Sequence, residues 1–198
     1  MADIKIDPST TVLMVQKLQK DWLKLKQDTV VKLMDKYDTL AKTKKLVAAA
    51  REVGMPIVWV RHLKRPDGAD QFNYLADVAD HVKFLEEGTP GAEFIEGLEP
   101  LPGEHVITAR RYSSFYGTDL EVRLRRLRTK TLMFTGLLTN VSIVFTVGDA
   151  FSRDFESIVV SDCCVCGSEE INDYYMKEHF TLMSKVRTAE EILAALKQ

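Results

Sequence analysis

The sequence predicts an α/β fold, a doubly wound, mostly parallel six-stranded sheet with helices on both faces. Three observations lead there. Short runs rich in β-forming residues alternate with longer stretches of helical periodicity. Several of the short runs are almost wholly apolar, as strands are when helices cover both sides of their sheet. No Pro/Gly/Ser linker, internal repeat or low-complexity segment divides the 198 residues. A single domain over 1–198 is expected, because 45 % hydrophobic residues in a chain of this length supply a substantial core.

Strands are expected at TVLMVQ (11–16), IVWV (57–60), HVIT (105–108), TLMFTG (131–136), SIVVSD (157–162) and TLMSKV (181–186). Between the first two, Val30, Leu33, Met34, Tyr37, Leu40, Ala41 and Val47 recur near the helical period, and Gly54 followed by Pro56 ends that helix. The segment from about 63 to 104 holds four of the six prolines and reads as a long, partly irregular excursion, of the kind that builds pockets or subunit contacts. Thr118 with Glu121 predicts a capping box ahead of Leu120, Leu124 and Leu127, and Thr188 with Glu191 predicts another before the last helix.

Composition removes several classes of function. Lys plus Arg number 27 against 29 Asp plus Glu, a formal charge of −2 with no long run of either sign, so neither a nucleic acid nor a membrane is expected as partner. The N-terminus lacks a basic stretch followed by an apolar one, and no apolar run approaches the roughly 18 residues of a membrane span. A soluble, cytoplasmic protein is expected. Cys163, Cys164 and Cys166 fall within four positions, an odd and crowded set that is no disulfide framework. They suit burial as small hydrophobes in a reducing compartment better than soft-metal or redox chemistry, since three close thiols are not four ligands at zinc spacing.

A Rossmann-like three-layer sandwich binds ligands outside the carboxyl ends of its strands, at the switch in strand order. That directs attention to residues near 17, 62, 109, 138–142 and 162. The same positions carry a resemblance. ITARRYSSFYGTDLEVRLR (107–125), TGLLTNVSIVFTVGDAFSRDF (135–155), VLMVQKLQKDW (12–22), EEGTPGAEF and VVSDCC together resemble the isochorismatase-like cysteine hydrolases, relatives of N-carbamoylsarcosine amidase, nicotinamidase and isochorismatase. The likeness runs over nearly the whole chain.

In that family an Asp after the first strand, a Lys after the third and a Cys opening the following helix form a triad. The Cys attacks a carbonyl or nitrile carbon, the Asp shuttles its proton and the Lys orders and charges the site. Matching the motifs puts Lys17 at the Asp position, Ala109 at the Lys position and Ser142 at the Cys position. The resemblance further implies a cis peptide between Leu137 and Leu138, an oxyanion hole from the backbone N–H groups of Leu138 and Ser142, and no cofactor. It implies a pocket near His62, Arg111, Tyr112, Phe115 and Thr139, and a homo-oligomer, dimer or tetramer. Ser113, Tyr116 and Thr118 lie on the same pocket-lining and subunit-contacting stretch, where Phe115 and Tyr116 suit core or interface better than ligand contact.

Serine is a weak nucleophile unless a base lies within hydrogen-bond reach. A desolvated Lys17 would supply one; alternatively Lys17 pairs with Asp21 four residues later or turns its ammonium to solvent. Ala109 cannot replace a cation. Ser142 should sit near a helix start capped by Thr139 or Asn140. Nicotinamidase-type relatives build a metal site near His62, but RHLKRPDG offers only His62, Lys64 and Asp67, and an ammonium is no ligand, so no metal is expected. Arg61, His62 and Arg65 would instead suit an anion or a solvated basic loop. The leading reading is a catalytically degenerate family member that binds a small carbonyl or carboxylate compound or serves assembly. The alternative is a hydrolase of amide or similar C–N bonds using Ser142 and Lys17. Isochorismatase proper fits poorly, since its proton donor is the Asp that Lys17 replaces.

Overall fold

The computed structural model describes residues 4–24, 29–71, 75, 77 and 83–197. Six strands form one sheet: β1 (Thr11–Gln16), β2 (Ile57–His62), β3 (His105–Ala109), β4 (Thr131–Leu137), β5 (Glu156–Val165) and β6 (Lys185–Arg187). Their order is β3-β2-β1-β4-β5-β6, and every neighbouring pair is parallel. The expected doubly wound sheet is therefore present, with its switch in strand order between β1 and β4.

Alternation along each strand divides the core in two. Leu13 and Val15 of β1 pack on one face with Leu33 of α2 (Thr29–Tyr37), Leu46 and Val47 of α3 (Thr39–Glu52) and Ile192 of α7 (Ala189–Ala195). Val12 and Met14 pack on the other with Leu120 and Leu124 of α4 (Leu120–Arg126) and Val147 and Ala150 of α5 (Val144–Phe151). Two shorter helices complete the set, α1 (Asp21–Lys24) and α6 (Glu169–Tyr174). Cys163 and Cys164, consecutive on β5, join opposite faces, and all three cysteines are buried free thiols. Burial pushes the Cys163 thiol up to about 12. None of the helices is long and apolar enough to cross a membrane among the described residues.

Three local expectations are corrected. The helix between β1 and β2 is two, α2 and α3, because Asp38 between them takes a left-handed φ of 55°. The last strand is only Lys185–Arg187; residues 180–182 form a 3₁₀ turn closed by Met183 and Ser184 N–H bonds to Phe180 O, which leaves Leu182 exposed. The capping box at Thr188 and Glu191 forms, whereas the one expected at Thr118 and Glu121 does not, because the cap residue of α4 is Asp119 and its side chain makes no cap bond. Thr118 Oγ1 accepts from Leu120 N, but Glu121 turns instead to Arg125 and Arg153.

The described part of the 63–104 excursion is tied to the segment after β1. Ile95 N donates to Leu18 O (3.0 Å), Lys20 N to Glu93 O (2.9 Å) and Leu85 N to Asp21 Oδ2 (2.7 Å). Residues 72–74, 76 and 78–82 of that excursion lie outside the described residues.

Gly136, in register with Gln16, brings the ends of β1 and β4 together. Its φ is +120°, and a Cβ there would fall 1.9 Å from Gln16 O. Gly136→Ala should cost more than about 2 kcal/mol, because neither the backbone collision nor the positive φ is relieved by a side-chain move. A denaturant midpoint equal to that of the parent chain would contradict this close approach.

Candidate active site

At the end of β1 the chain turns through Lys17, whose φ is 58° and whose N–H donates to Val60 O at 2.7 Å. The side chain is buried, with Lys17 only 3 % exposed. Its Nζ donates to Arg111 O (3.2 Å), Tyr112 O (2.7 Å) and Ser142 Oγ (2.7 Å). The pairing with Asp21 weighed from sequence is not made. Asp21 accepts from Leu85 N and from Lys24 Nζ and packs so closely on Gly91 that a Cβ there would lie 1.9 Å from its carboxylate.

Salt-bridge partners for Lys17 are absent among the described residues, and burial without a counter-charge lowers its ammonium to about 7. The geometry constrains the neutral form. Two of the three acceptors are backbone carbonyls, which cannot donate. An uncharged amine keeps its two protons on Arg111 O and Tyr112 O and turns its lone pair to Ser142 Oγ. The charged form donates to all three. Both protonation states fit the same coordinates.

Ser142, 6 % exposed, lies in a π-helical turn, Thr139–Ile143, between β4 and α5. The Leu137–Leu138 peptide before it is cis, as the resemblance implies. Ile143 N and Val141 N both donate to Leu138 O (3.0 and 3.1 Å). Neither Thr139 nor Asn140 caps this turn with its side chain: Leu138 is the cap residue, and Thr139 Oγ1 donates to Asn172 Oδ1 at 2.6 Å.

His62 ends β2 in register with Ala109, the buried last residue of β3. Gln19 clamps its backbone, accepting from His62 N (2.8 Å) and donating to His62 O (2.9 Å) and Ala92 O (2.7 Å). His62 Nδ1 is buried with no partner among the described residues. Burial first, then the charges of Lys17, Lys64, Arg110 and Arg111, pull the imidazole down to about 3, so the ring is neutral. Arg65 pairs with Asp67 and Arg61 donates to Thr108 Oγ1, so this basic stretch does not converge on His62. Among the described residues no three His, Cys, Asp or Glu side chains are grouped to hold a metal.

A cleft of about 400 Å³ is lined by Leu75, Arg111, Tyr112, Ser113, Tyr116, Phe145 and Asp149; Arg111 and Tyr112, whose carbonyls hold Lys17 Nζ, connect it to the Lys17–Ser142 pair, neither member of which lines it. The rings of Tyr112 and Phe145 lie 5.7 Å apart on its wall, and Ser113 Oγ donates to Asp149 Oδ2 at 2.5 Å. Of the expected pocket residues, Arg111 and Tyr112 line the cleft. Phe115 is buried against Phe155 and the Arg153 guanidinium (4.8 Å), and His62 and Thr139 are not among the lining residues. Sequence reasoning missed Gln16, Gln19, Ser114 and Thr146. Gln16 alone left a signal, as a polar residue closing an otherwise apolar strand.

A parallel 3-2-1-4-5-6 sheet with a buried lysine–serine pair at its switch point is an α/β sandwich whose candidate site lies where such folds bind ligands. Comparison with known proteins gives the family. Residues 11–191 match the isochorismatase domain family, and the chain belongs to it. It is 28 % identical over 197 residues to the isochorismatase family protein YwoC of Bacillus subtilis, covering 100 % of both chains. It is 31 % identical over 176 residues to the ureidoacrylate amidohydrolase RutB of Methylobacterium radiotolerans, covering 80 % of this chain and 68 % of that one. Among solved structures it is similar to an isochorismatase family protein of Burkholderia thailandensis, at 27 % identity and a TM-score of 0.84 over 100 % of both chains.

The lowered Lys17 value has a thermodynamic sign. Between about 7 and the ordinary 10.5 the unfolded chain holds a proton that the folded chain lacks, so stability rises with pH across that window. Denaturant unfolding should show this rise in the parent chain and lose it in Lys17→Met. Parallel curves for the two proteins would contradict a buried amine without a counter-charge. His62 acts at the other end: folded stability should fall as pH drops from 6.5 toward about 3, less steeply in His62→Gln. Acid unfolding curves of the same steepness would contradict that assignment.

Proposed function

We propose that this chain is a hydrolase of small amide or other non-peptide C–N bonds, with Ser142 as nucleophile and Lys17 as its base. The observation that carries the reading is the 2.7 Å contact of Lys17 Nζ with Ser142 Oγ, with the other two directions of the amine held by carbonyls. Motif matching places Lys17, Ala109 and Ser142 where the family has Asp, Lys and Cys, so the working pair differs from the family's thiol chemistry.

In the proposed cycle Ser142 Oγ attacks the carbonyl carbon while its proton passes to Lys17 Nζ. The backbone N–H groups of Leu138 and Ser142 receive the developing oxyanion. Lys17 then protonates the leaving nitrogen, and a water deprotonated by Lys17 releases the acid from the Ser142 ester. One positive charge near the site replaces the family's separate acid and cation. The relative named as an amidohydrolase supports the bond class. The apolar cleft at Tyr112 and Phe145 suits the non-reacting part of the substrate.

A second reading has its own support. An ammonium donating to all three acceptors is a satisfied structural clamp, and neither Lys17 nor Ser142 lines the cleft. The chain is then a degenerate family member that binds a small carbonyl or carboxylate compound or serves assembly. A panel of amides, ureido compounds and nicotinamide separates the two. The hydrolase reading expects turnover that rises through about pH 7. It also expects Ser142→Ala and Lys17→Met each to lose at least about a hundredfold. No turnover favours the degenerate reading; turnover that survives both substitutions removes Ser142 and Lys17 from the chemistry.

A further inference from the structure

Gln16, Ser114 and Thr146 are each 0 % exposed and share one buried polar network. Ser114 Oγ donates to Gln16 Oε1 at 2.7 Å. Thr146 Oγ1 shares its proton between Ser142 O (2.7 Å) and Gln16 Oε1 (3.2 Å), and accepts from Ser114 N at 3.1 Å. Each partner of Gln16 is tied to one arm of the Lys17–Ser142 pair. Gln16 directly precedes Lys17. Ser114 follows by two residues the Tyr112 carbonyl that holds Lys17 Nζ. Thr146 lies one helical turn beyond Ser142 and bonds its carbonyl. The network therefore closes a ring from the lysine backbone, through the glutamine amide, back to the lysine amine.

The glutamine also carries a cost that packing does not explain. Gln16 Nε2 is buried without a partner among the described residues. An unpaired buried amide donor destabilises a fold, and an apolar side chain of the same length would end this apolar strand without that penalty. What the residue contributes is its Oε1.

We propose that Gln16 is a positioning residue of the dyad: through Ser114 and Thr146 it fixes the Tyr112 carbonyl and Ser142 relative to the Lys17 amine. The inference rests on the hydrolase reading of the site. Proton transfer from Ser142 to Lys17 demands an aligned lone pair, and a misplacement of about 1 Å costs on the order of a hundredfold. Loosening the ring also admits water to the amine, which moves its titration back toward the ordinary lysine range.

The test is reaction with a phosphonyl fluoride, which needs no knowledge of the natural substrate. Ser142 Oγ attacks phosphorus, the P–O bond forms, the P–F bond breaks with loss of fluoride, and Lys17 takes the hydroxyl proton. The parent chain should label at Ser142 with a rate that rises through about pH 7. Gln16→Met, which removes the unpaired Nε2 but also the acceptor of Ser114 Oγ, should label about ten- to a hundredfold more slowly and show its rise displaced to higher pH. Thr146→Val, which removes the Thr146 links to Ser142 O, Gln16 Oε1 and Ser114 N but keeps the bond between Ser114 and Gln16, should slow labelling in the same direction and provides the readout if Gln16→Met does not fold. Labelling of Gln16→Met at the parent rate and pH dependence overturns the inference, as does a loss of stability with the rate unchanged. A parent chain that does not label at Ser142 at any pH overturns the hydrolase reading and this inference with it.

Discussion

A lysine ammonium taken out of water loses hydration that only close acceptors or a counter-ion restore. Lys17 has acceptors and no counter-ion: two backbone carbonyls and one serine hydroxyl surround its Nζ. Such a group sits near the balance between charged and neutral forms, because carbonyl dipoles stabilise the ammonium less than a carboxylate would. That balance decides between the two functions open to the site. A permanently charged Lys17 is a clamp holding the 111–112 loop to the end of β1. A neutral one is a base with its lone pair fixed on Ser142.

The fold brings the pair together with backbone features rather than with side-chain attraction. Parallel β1 and β4 end side by side at the switch in strand order, which places the chain after each strand around one point. Gly136 lets those ends approach more closely than any side chain would permit. The left-handed turn at Lys17 and the π-helical turn after Leu138 then set the amine and the hydroxyl 2.7 Å apart. Asp21, the nearest acid in sequence, is occupied by Leu85 N and Lys24 Nζ and makes no ion pair with Lys17.

The sheet was legible in the sequence because its strands are buried on both faces, and runs such as TVLMV have no other comfortable place in an α/β chain. The helix break at Asp38 was not, since the apolar period continues through it and a single left-handed residue leaves no compositional mark. Lys17 and Ser142 were nameable from motif matching, but their partners were not. Two of the three acceptors on Lys17 are carbonyls of Arg111 and Tyr112, and a carbonyl is common to every residue type. Spacing suggested Asp21 as a partner for Lys17 on the assumption of a helix there; the left-handed turn removes that face. Phe115 lies in the motif that lines the cleft, yet packing against Arg153 and Phe155 turns it into the core.

The protonation state of one amine is the point on which the account turns. A pH titration of the Lys17 side chain by NMR, on protein labelled with nitrogen-15 at lysine and assigned with Lys17→Met, reads it directly. A midpoint near 7 is predicted; a midpoint near 10.5 would leave Lys17 charged at neutral pH and contradict the proposal that it acts as a base.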